Sequence, residues 1–187
     1  MTRKILIVTG DGGESYEALY ATQRFEEAGW EPVIAAPSRR RLHLVIHDRE
    51  PGWDTFVERA GHGVEADVAI TAVNARDFAL ILLIGGRAPE YLRNDPSLIS
   101  LVREFDSLKR VVCAIGHGVQ ILTVAGLVRG RVLAGHPHVW VEVERAGGTY
   151  SEKPAVRDGH LITARSWRFH PLFYREVFAC LEELFPA

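Results

Sequence analysis

Runs that are apolar at every position recur along the chain at residues 5–8 (ILIV), 78–84 (FALILLI) and 111–115 (VVCAI), each followed closely by glycine-containing segments, TGDGGE, GGRAPE and GHG. A strand with one wet face would alternate, so these runs predict strands buried on both faces, as in a parallel sheet. Between them the apolar spacing becomes helical. In ESYEALYATQRFEEAGW, Tyr16, Leu19, Tyr20 and Phe25 fall near one face and Gly29 stands where a helix stops. EPVIAAP reads as a second strand, and Asp95-Pro96 as the start of a helix reaching about Leu108. A further helix is expected from His117 to about Val128, and HPLFYREVFACLEELF closes the chain as an amphipathic helix. Short strands are expected at 132–133, 139–143 and 161–163. Residues 38–77 break this rhythm. RLHLVIHD alternates well enough for a strand, but the rest mixes turn residues with scattered apolar ones, predicting an excursion outside the main sheet that holds a lid or a contact surface bearing Trp53 and Phe56.

Strand and helix alternate, so the expected class is α/β, a mostly parallel sheet with helices on both faces. At 187 residues one domain spanning 1–187 is expected, because single cores commonly serve chains up to roughly 200 residues. Ligands of such sheets bind beyond the strand carboxyl ends, where the three loops converge.

Composition narrows the function classes. Apolar residues make up 47% and charged residues 25%, an ordinary globular balance, with a net charge of −2. The one basic run, Arg39-Arg40-Arg41, lacks the aromatic interleaving and broad basic face of a nucleic-acid binder and reads as a solvated loop. No stretch approaches the ~18 apolar residues of a membrane helix, so a cytoplasmic location without membrane contact is expected. Cys113 and Cys180 have no metal-type spacing, and His136-Pro137-His138 lacks a nearby third ligand, so no metal site is expected. Gly10-Asp11-Gly12-Gly13 fails as a dinucleotide fingerprint, because Ser15 stands where the third glycine belongs and Ala35-Ala36-Pro37 replace the acid at the end of the second strand. No cofactor is expected.

The loops carry the chemistry. Glu14 lies where a first-loop carboxyl could enter the crevice, although a helix N-terminal acid interacting with the dipole is the plainer reading. His117 and the Gly85-Gly86 loop would add an imidazole and backbone N–H donors. Strand, tight turn and helix at residues 111–126 is the geometry of a nucleophile elbow, yet the turn residue is Gly116. Gly116 and Gly118 also admit a packing role. Cys113, three residues earlier in an extended strand, is about 10 Å away and is expected to be an inert buried thiol; Cys180 has less claim still.

These residues resemble a family. Ala114-Ile115-Gly116-His117-Gly118-Val119-Gln120-Ile121-Leu122 is similar to the ThiJ/PfpI signature, in which the Gly116 position is cysteine. Residues 85–93 (GGRAPEYLR) resemble a second family loop, Gly13-Glu14-Ser15-Tyr16-Glu17 the first-loop acid segment, and residues 125–131 (AGLVRGR) a third stretch. Ile46-His47-Asp48 with Gly61-His62 is similar to a longer branch with glyoxalase-like members. The resemblance implies a flavodoxin-like three-layer sandwich of the class I glutamine amidotransferase type and a homo-oligomer. It implies that Glu14 would share a proton with the elbow side chain, that His117 would be the adjacent acid/base, and that Glu90 would orient His117, in some relatives from a neighbouring subunit. Gly86 and the turn amides would bind an oxyanion, with Gly85, Arg87, Gly116 and Gly118 forming the rest of the pocket.

Without a thiolate, no hemithioacetal or acyl-thioester route exists. The expected function is therefore a pseudoenzyme that binds a small carbonyl-containing metabolite or anion non-covalently, in a stress-related or regulatory role. One alternative is a glyoxalase, deglycase or hydrolase-type enzyme using Glu14 and His117 without a thiol. Another is an oligomeric scaffold acting through residues 38–77.

Overall fold

The structure, a computed structural model, describes residues 3–186. In chain order the elements begin with β1 (Lys4–Val8), α1 (Ser15–Glu27), β2 (Glu31–Ala36), β3 (Arg41–Asp48), β4 (Val57–Glu65), β5 (Val68–Ala69) and β6 (Leu80–Leu83). There follow α2 (Ala88–Leu92), α3 (Pro96–Ser107), β7 (Val111–Ile115), α4 (Val119–Ala125), β8 (Val132–Leu133), α5 (Trp140–Arg145), β9 (Thr149–Tyr150), β10 (Ala155–Asp158), β11 (Leu161–Ala164) and α6 (His170–Leu184).

The three all-apolar runs lie at the centre of a seven-stranded sheet of order β10-β11-β7-β6-β1-β2-β5. Every pairing in it is parallel except β10 with β11. Alternate residues of each central strand enter different cores. Leu6, Val8, Ile81, Leu83, Val112 and Ala114 pack beneath α3 and α4 against Leu98, Val102, Phe105 and Leu122. Ile5, Ile7, Leu80, Leu82, Val111 and Cys113 meet Ala18, Ala21 and Phe25 of α1 and Phe173, Val177 and Leu181 of α6 on the opposite face. This is the layered α/β sandwich that the pattern predicts. The switch point lies between β1 and β6, since the chain leaves β1 for β2 on one side and builds β6, β7 and β11 on the other.

Four readings of the pattern need correction. Residues 139–143 are not a strand: Val143 is buried, Trp140 is exposed, and Glu142 is held by Arg93 and Gln120, so the segment closes as α5. The apolar face of α1 is centred on Ala18, Ala21 and Phe25, with Leu19 and Tyr20 partly buried against the same core and Tyr16 half-exposed at its edge. The helix expected from His117 starts at Val119, because residues 116–118 form a 3₁₀ turn. Residues 38–77 are an excursion only in part. β3 and β4 make a separate antiparallel hairpin, while β5 returns to the edge of the main sheet. Strands β9 and β10 had no signal in the pattern. Arg40 and Arg41 of the basic run pair with Asp11 and Glu65.

Gly116 and Gly118 serve different ends. A Cβ on Gly118 would stand 2.4 Å from the Leu83 carbonyl oxygen, so this glycine lets the turn press onto the end of β6. Gly116 has φ +57°, and a Cβ there would meet nothing closer than 3.7 Å. Gly118→Ala is therefore expected to destabilise by about 3 kcal/mol through overpacking against backbone. Gly116→Ala should cost only the left-handed conformation, about 1–2 kcal/mol. Urea denaturation of the two variants checks the order, and an equal or greater loss in Gly116→Ala would contradict it.

Candidate functional site

Beyond the carboxyl ends of β1, β6 and β7 the loops close on one another. The Glu14 N–H donates to the Gly85 carbonyl at 3.3 Å and the Arg87 N–H to the Gly12 carbonyl at 2.8 Å, zipping the first loop to the loop after β6. The hairpin seats on the same loop, with the Val45 N–H donating to the Gly13 carbonyl at 2.9 Å. On the far side the His136 N–H donates to the Gly116 carbonyl at 3.2 Å. These contacts frame a cavity of about 400 Å³ lined by Glu14, Glu17, His47, Phe56, Glu58, Gly86, Arg87, Glu90, Gly116, His117, His136, His138 and Arg165, among others.

The acid facing the elbow is Glu17. Its Oε2 accepts from the Gly85 N–H at 2.7 Å, and its Oε1 would lie 3.9 Å from a Cβ on Gly116. The side chain is buried. Desolvation, reinforced by the neighbouring Glu14 charge, outweighs the amide donors of Gly85 and Trp167 and pushes its pKa up to about 8. At neutral pH Glu17 is thus a protonated acid, able to donate a hydrogen bond.

Glu14 does other work, correcting the role that the resemblance implied for it. It is the N-cap of α1, with extended backbone, and its side chain turns away from the elbow toward β3. Its carboxyl accepts from the His47 ring Nδ1 at 2.8 Å and from the His47 backbone N–H at 3.1 Å. The other ring nitrogen of His47 lies 3.3 Å from Glu58, which forms a two-bond pair with Arg87, one of its bonds 2.8 Å long. Bonding to Glu14, helped by the charges of both glutamates, raises the pKa of His47, and the Arg87 guanidinium lowers that of Glu58. An ion chain Glu14–His47–Glu58–Arg87 therefore bolts the hairpin to both loops.

His117 lines the cavity beside the elbow and stacks on His136 at 4.5 Å between ring centroids. Burial, followed by the neighbouring imidazoles of His138 and His47, lowers its pKa to about 4, and burial with the same kind of neighbours lowers His136 to about 3. Both rings are neutral at physiological pH. Glu90 lines the cavity, but among the described residues no hydrogen bond joins it to His117, so the orienting role implied for it is not made within one chain.

Of the residues singled out in the sequence, Glu14, Glu90, Gly86, Arg87, Gly116 and His117 come together around the cavity; Gly85 stands behind it as the donor to Glu17, and Gly118 is packed against β6. Phe56 is no outward contact residue: its ring packs on His136 at 5.2 Å, whereas Trp53 is exposed. Cys113 and Cys180 are buried thiols, and burial pushes Cys113 well above the usual thiol range. Among the described residues no His, Cys, Asp and Glu cluster fits a metal ion, and no helix is long and apolar enough to cross a membrane. Arg165 went unmarked in the sequence, and Glu17, His47 and His136, though they lie in segments quoted there, were given no role in the site. For Glu17 a signal existed, since residues 17, 21 and 25 recur every four positions on the buried stripe of α1.

A covered parallel sheet with an acid, an imidazole and a sharp strand-to-helix turn at its carboxyl edge defines an α/β protein of the nucleophile-elbow class. The chain belongs to the DJ-1/PfpI family, whose profile spans residues 3–180. It is 32% identical over 186 residues to DJ-1 homolog D of Arabidopsis thaliana, a match covering 96% of this chain and 48% of that protein. It is 31% identical to a deglycase of Pyrococcus horikoshii, covering 87% and 89% of the two chains, and 31% identical to general stress protein 18 of Bacillus subtilis, covering 98% and 100%. The crystal structure of a ThiJ/PfpI domain protein from Brachyspira murdochii shares the fold with a TM-score of 0.85 at 19% identity, over 97% and 98% of the chains. This chain spans about half of the Arabidopsis protein, and likewise 48% of a two-domain DJ-1-like and ferritin-like protein from Anabaena variabilis.

Glu17 gives the site a pH signature. The unfolded chain releases this proton near pH 4.5 while the folded chain keeps it up to about 8, so stability falls with rising pH across that window. Glu17→Gln, which retains a carbonyl acceptor for the Gly85 amide, removes the effect. Its stability relative to the parent should grow from pH 5 to pH 8, approaching about 1.4 kcal/mol per pH unit at most. Denaturation curves at pH 5, 6.5 and 8 check this, and a constant difference would show that Glu17 ionises normally.

Proposed function

We propose that this chain is a DJ-1/PfpI-family protein that binds a small carbonyl-containing metabolite non-covalently above Gly116, without thiol chemistry. The observation that carries the reading is the elbow itself: a glycine at φ +57° opens onto the cavity, and Cys113, the nearest cysteine in sequence, is fully buried within β7. The polar groups around that space are otherwise those of a reaction chamber. Glu17 offers an O–H donor, His117 a neutral imidazole, and Phe56 and Trp167 supply apolar walls.

A second reading has an observation of its own. Burial drives Glu17 up to about 8 and His117 down to about 4, so at pH 7 the carboxyl is the acid and the imidazole the base. Environments that push two neighbouring pKa values apart are those of acid/base catalysts. Proton transfer to and from a bound carbonyl compound would then proceed without a nucleophile, with an acceleration of about 10²–10⁴-fold from each positioned group. Its mark is a turnover that thiol-blocking reagents leave intact and that His117→Ala and Glu17→Gln each remove.

The relatives named as deglycases suggest the comparison that tests the main reading. The purified protein is expected to bind methylglyoxal reversibly in a calorimetric titration while forming lactate no faster than buffer. Gly116→Cys is expected to be accommodated, because a Cβ meets only ordinary contacts there, and to gain thiol-dependent turnover. Lactate formation by the parent protein that a thiol-blocking reagent abolishes would defeat the proposal.

A further inference from the structure

One wall of the cavity carries a buried hydrogen-bond donor that has no partner among the described residues. His136 is 6% exposed, and its Nδ1 accepts from the His138 N–H at 3.2 Å, so the neutral ring carries its proton on Nε2. That Nε2–H is buried and has no partner among the described residues. An unmade hydrogen bond at a buried donor is costly, typically about 1–3 kcal/mol, and native sites leave one open chiefly where something else fills it. The ring packs against His117, stacked at 4.5 Å, and against Phe56, tilted at 5.2 Å between centroids, contacts that hold its orientation.

The charges around this donor have a consistent sign. Arg165 lines the cavity; its guanidinium donates to the Glu152 carbonyl at 3.0 Å and also bonds the Tyr150 side chain, with no carboxylate partner among the described residues. Arg49, lying over the Phe56 ring, likewise has no carboxylate partner there, and both cations act electrostatically on His136. Three of the four glutamates lining the cavity do not offset them, since Glu14 and Glu58 are engaged by His47 and Arg87 and Glu17 is protonated; the fourth, Glu90, acts on the Arg87 charge.

We infer that the His136 and Arg165 wall is a carboxylate subsite and that the cavity's occupant is a short 2-oxo acid of the glyoxylate or pyruvate class. This rests on the non-covalent binding reading and assigns it a ligand class. The carboxylate accepts from His136 Nε2–H and faces the Arg165 guanidinium, whose planar fork matches a planar carboxylate. The adjacent carbonyl oxygen then lies above Gly116, within reach of the Glu17 O–H. The His136 and Arg165 segments both border the space above Gly116, since the His136 N–H bonds to the Gly116 carbonyl at 3.2 Å, the Arg165 carbonyl oxygen would sit 3.7 Å from a Cβ on Gly116, and all three residues line the same cavity. A single N–H and one guanidinium edge suit a carboxylate better than the three oxygens of a phosphate.

Calorimetric titration of the full chain with glyoxylate, pyruvate, methylglyoxal and inorganic phosphate tests the inference. Glyoxylate and pyruvate are expected to bind at least about tenfold more tightly than methylglyoxal, as charge-assisted hydrogen bonds would give. His136→Leu and Arg165→Gln should each reduce that ratio toward one. If the leucine variant fails to fold, the imidazole nitrogen spectrum of the parent protein decides: glyoxylate should shift the His136 Nε2 signal and methylglyoxal should not. Methylglyoxal binding as tightly as the carboxylates, phosphate binding as tightly as glyoxylate, or an unmoved Nε2 signal overturns the subsite while leaving the binding reading standing. Binding of none of the four would overturn both.

Discussion

A parallel sheet covered on both faces has one place for polar chemistry, the edge where its strands end. Here that constraint is strict. Ile5 to Val8, Leu80 to Leu83 and Val111 to Ile115 are fully buried, so no polar side chain can be supported along the strands without a partner. Polar groups of the site therefore collect where β1, β6 and β7 release their chains into loops. The hydrogen bonds between those loops, and the close seat of Gly118 on the end of β6, set the elbow at a fixed height above the sheet. The position of each functional side chain follows from that arrangement.

The electrostatics of the cavity follow from what each glutamate meets at that edge. Four glutamates line it, which by count alone would repel an anion. Glu14 and Glu58 are instead tied into the ion chain through His47 to Arg87, Glu17 is neutral because burial costs its charged form more than two amide donors return, and Glu90 acts on the Arg87 charge. The charged neighbours acting on neutral His136 are Arg165 and Arg49, whereas neutral His117 feels Glu142 and Arg93. A cavity that looks acidic in composition is, on the His136 wall, a place for an acceptor.

The sheet was legible in the sequence because a strand buried on both faces must be apolar throughout, and the three such runs are its centre. The elbow was legible because a strand, a Gly-His-Gly turn and a helix have few other geometries. Residues 139–143 misled for a physical reason. VWVEV alternates like a strand, but Glu142 finds Arg93 and Gln120 across the fold, and those contacts override the local pattern. Glu14 and Glu17 are one turn apart on the same element, and only the packing of α1 distinguishes the N-cap that faces the hairpin from the carboxyl that faces the elbow. His47 and His136 reach the site from distant segments, one brought in by the hairpin and the other by the loop after β8, so although Ile46-His47-Asp48 and His136-Pro137-His138 stood out in the sequence, nothing local placed them beside the elbow.

The strongest argument that the cavity is used, and is not the remnant of a lost thiol site, is the cost of keeping Glu17. In a site with an elbow thiolate, a buried protonated carboxyl has an obvious acceptor for its O–H. With glycine at position 116 that acceptor is gone, yet the carboxyl is still held by the Gly85 amide at 2.7 Å and still burdened by burial. A glutamine would satisfy the same amide without the pH-dependent penalty, and so would serve packing alone better. A carboxyl retained against that penalty, in the same cavity as a His136 donor that lacks a partner among the described residues, is the pair of observations on which the proposed binding rests. With glycine at position 116 the elbow itself presents no thiol nucleophile, and the proposed binding therefore rests on the polar groups around it.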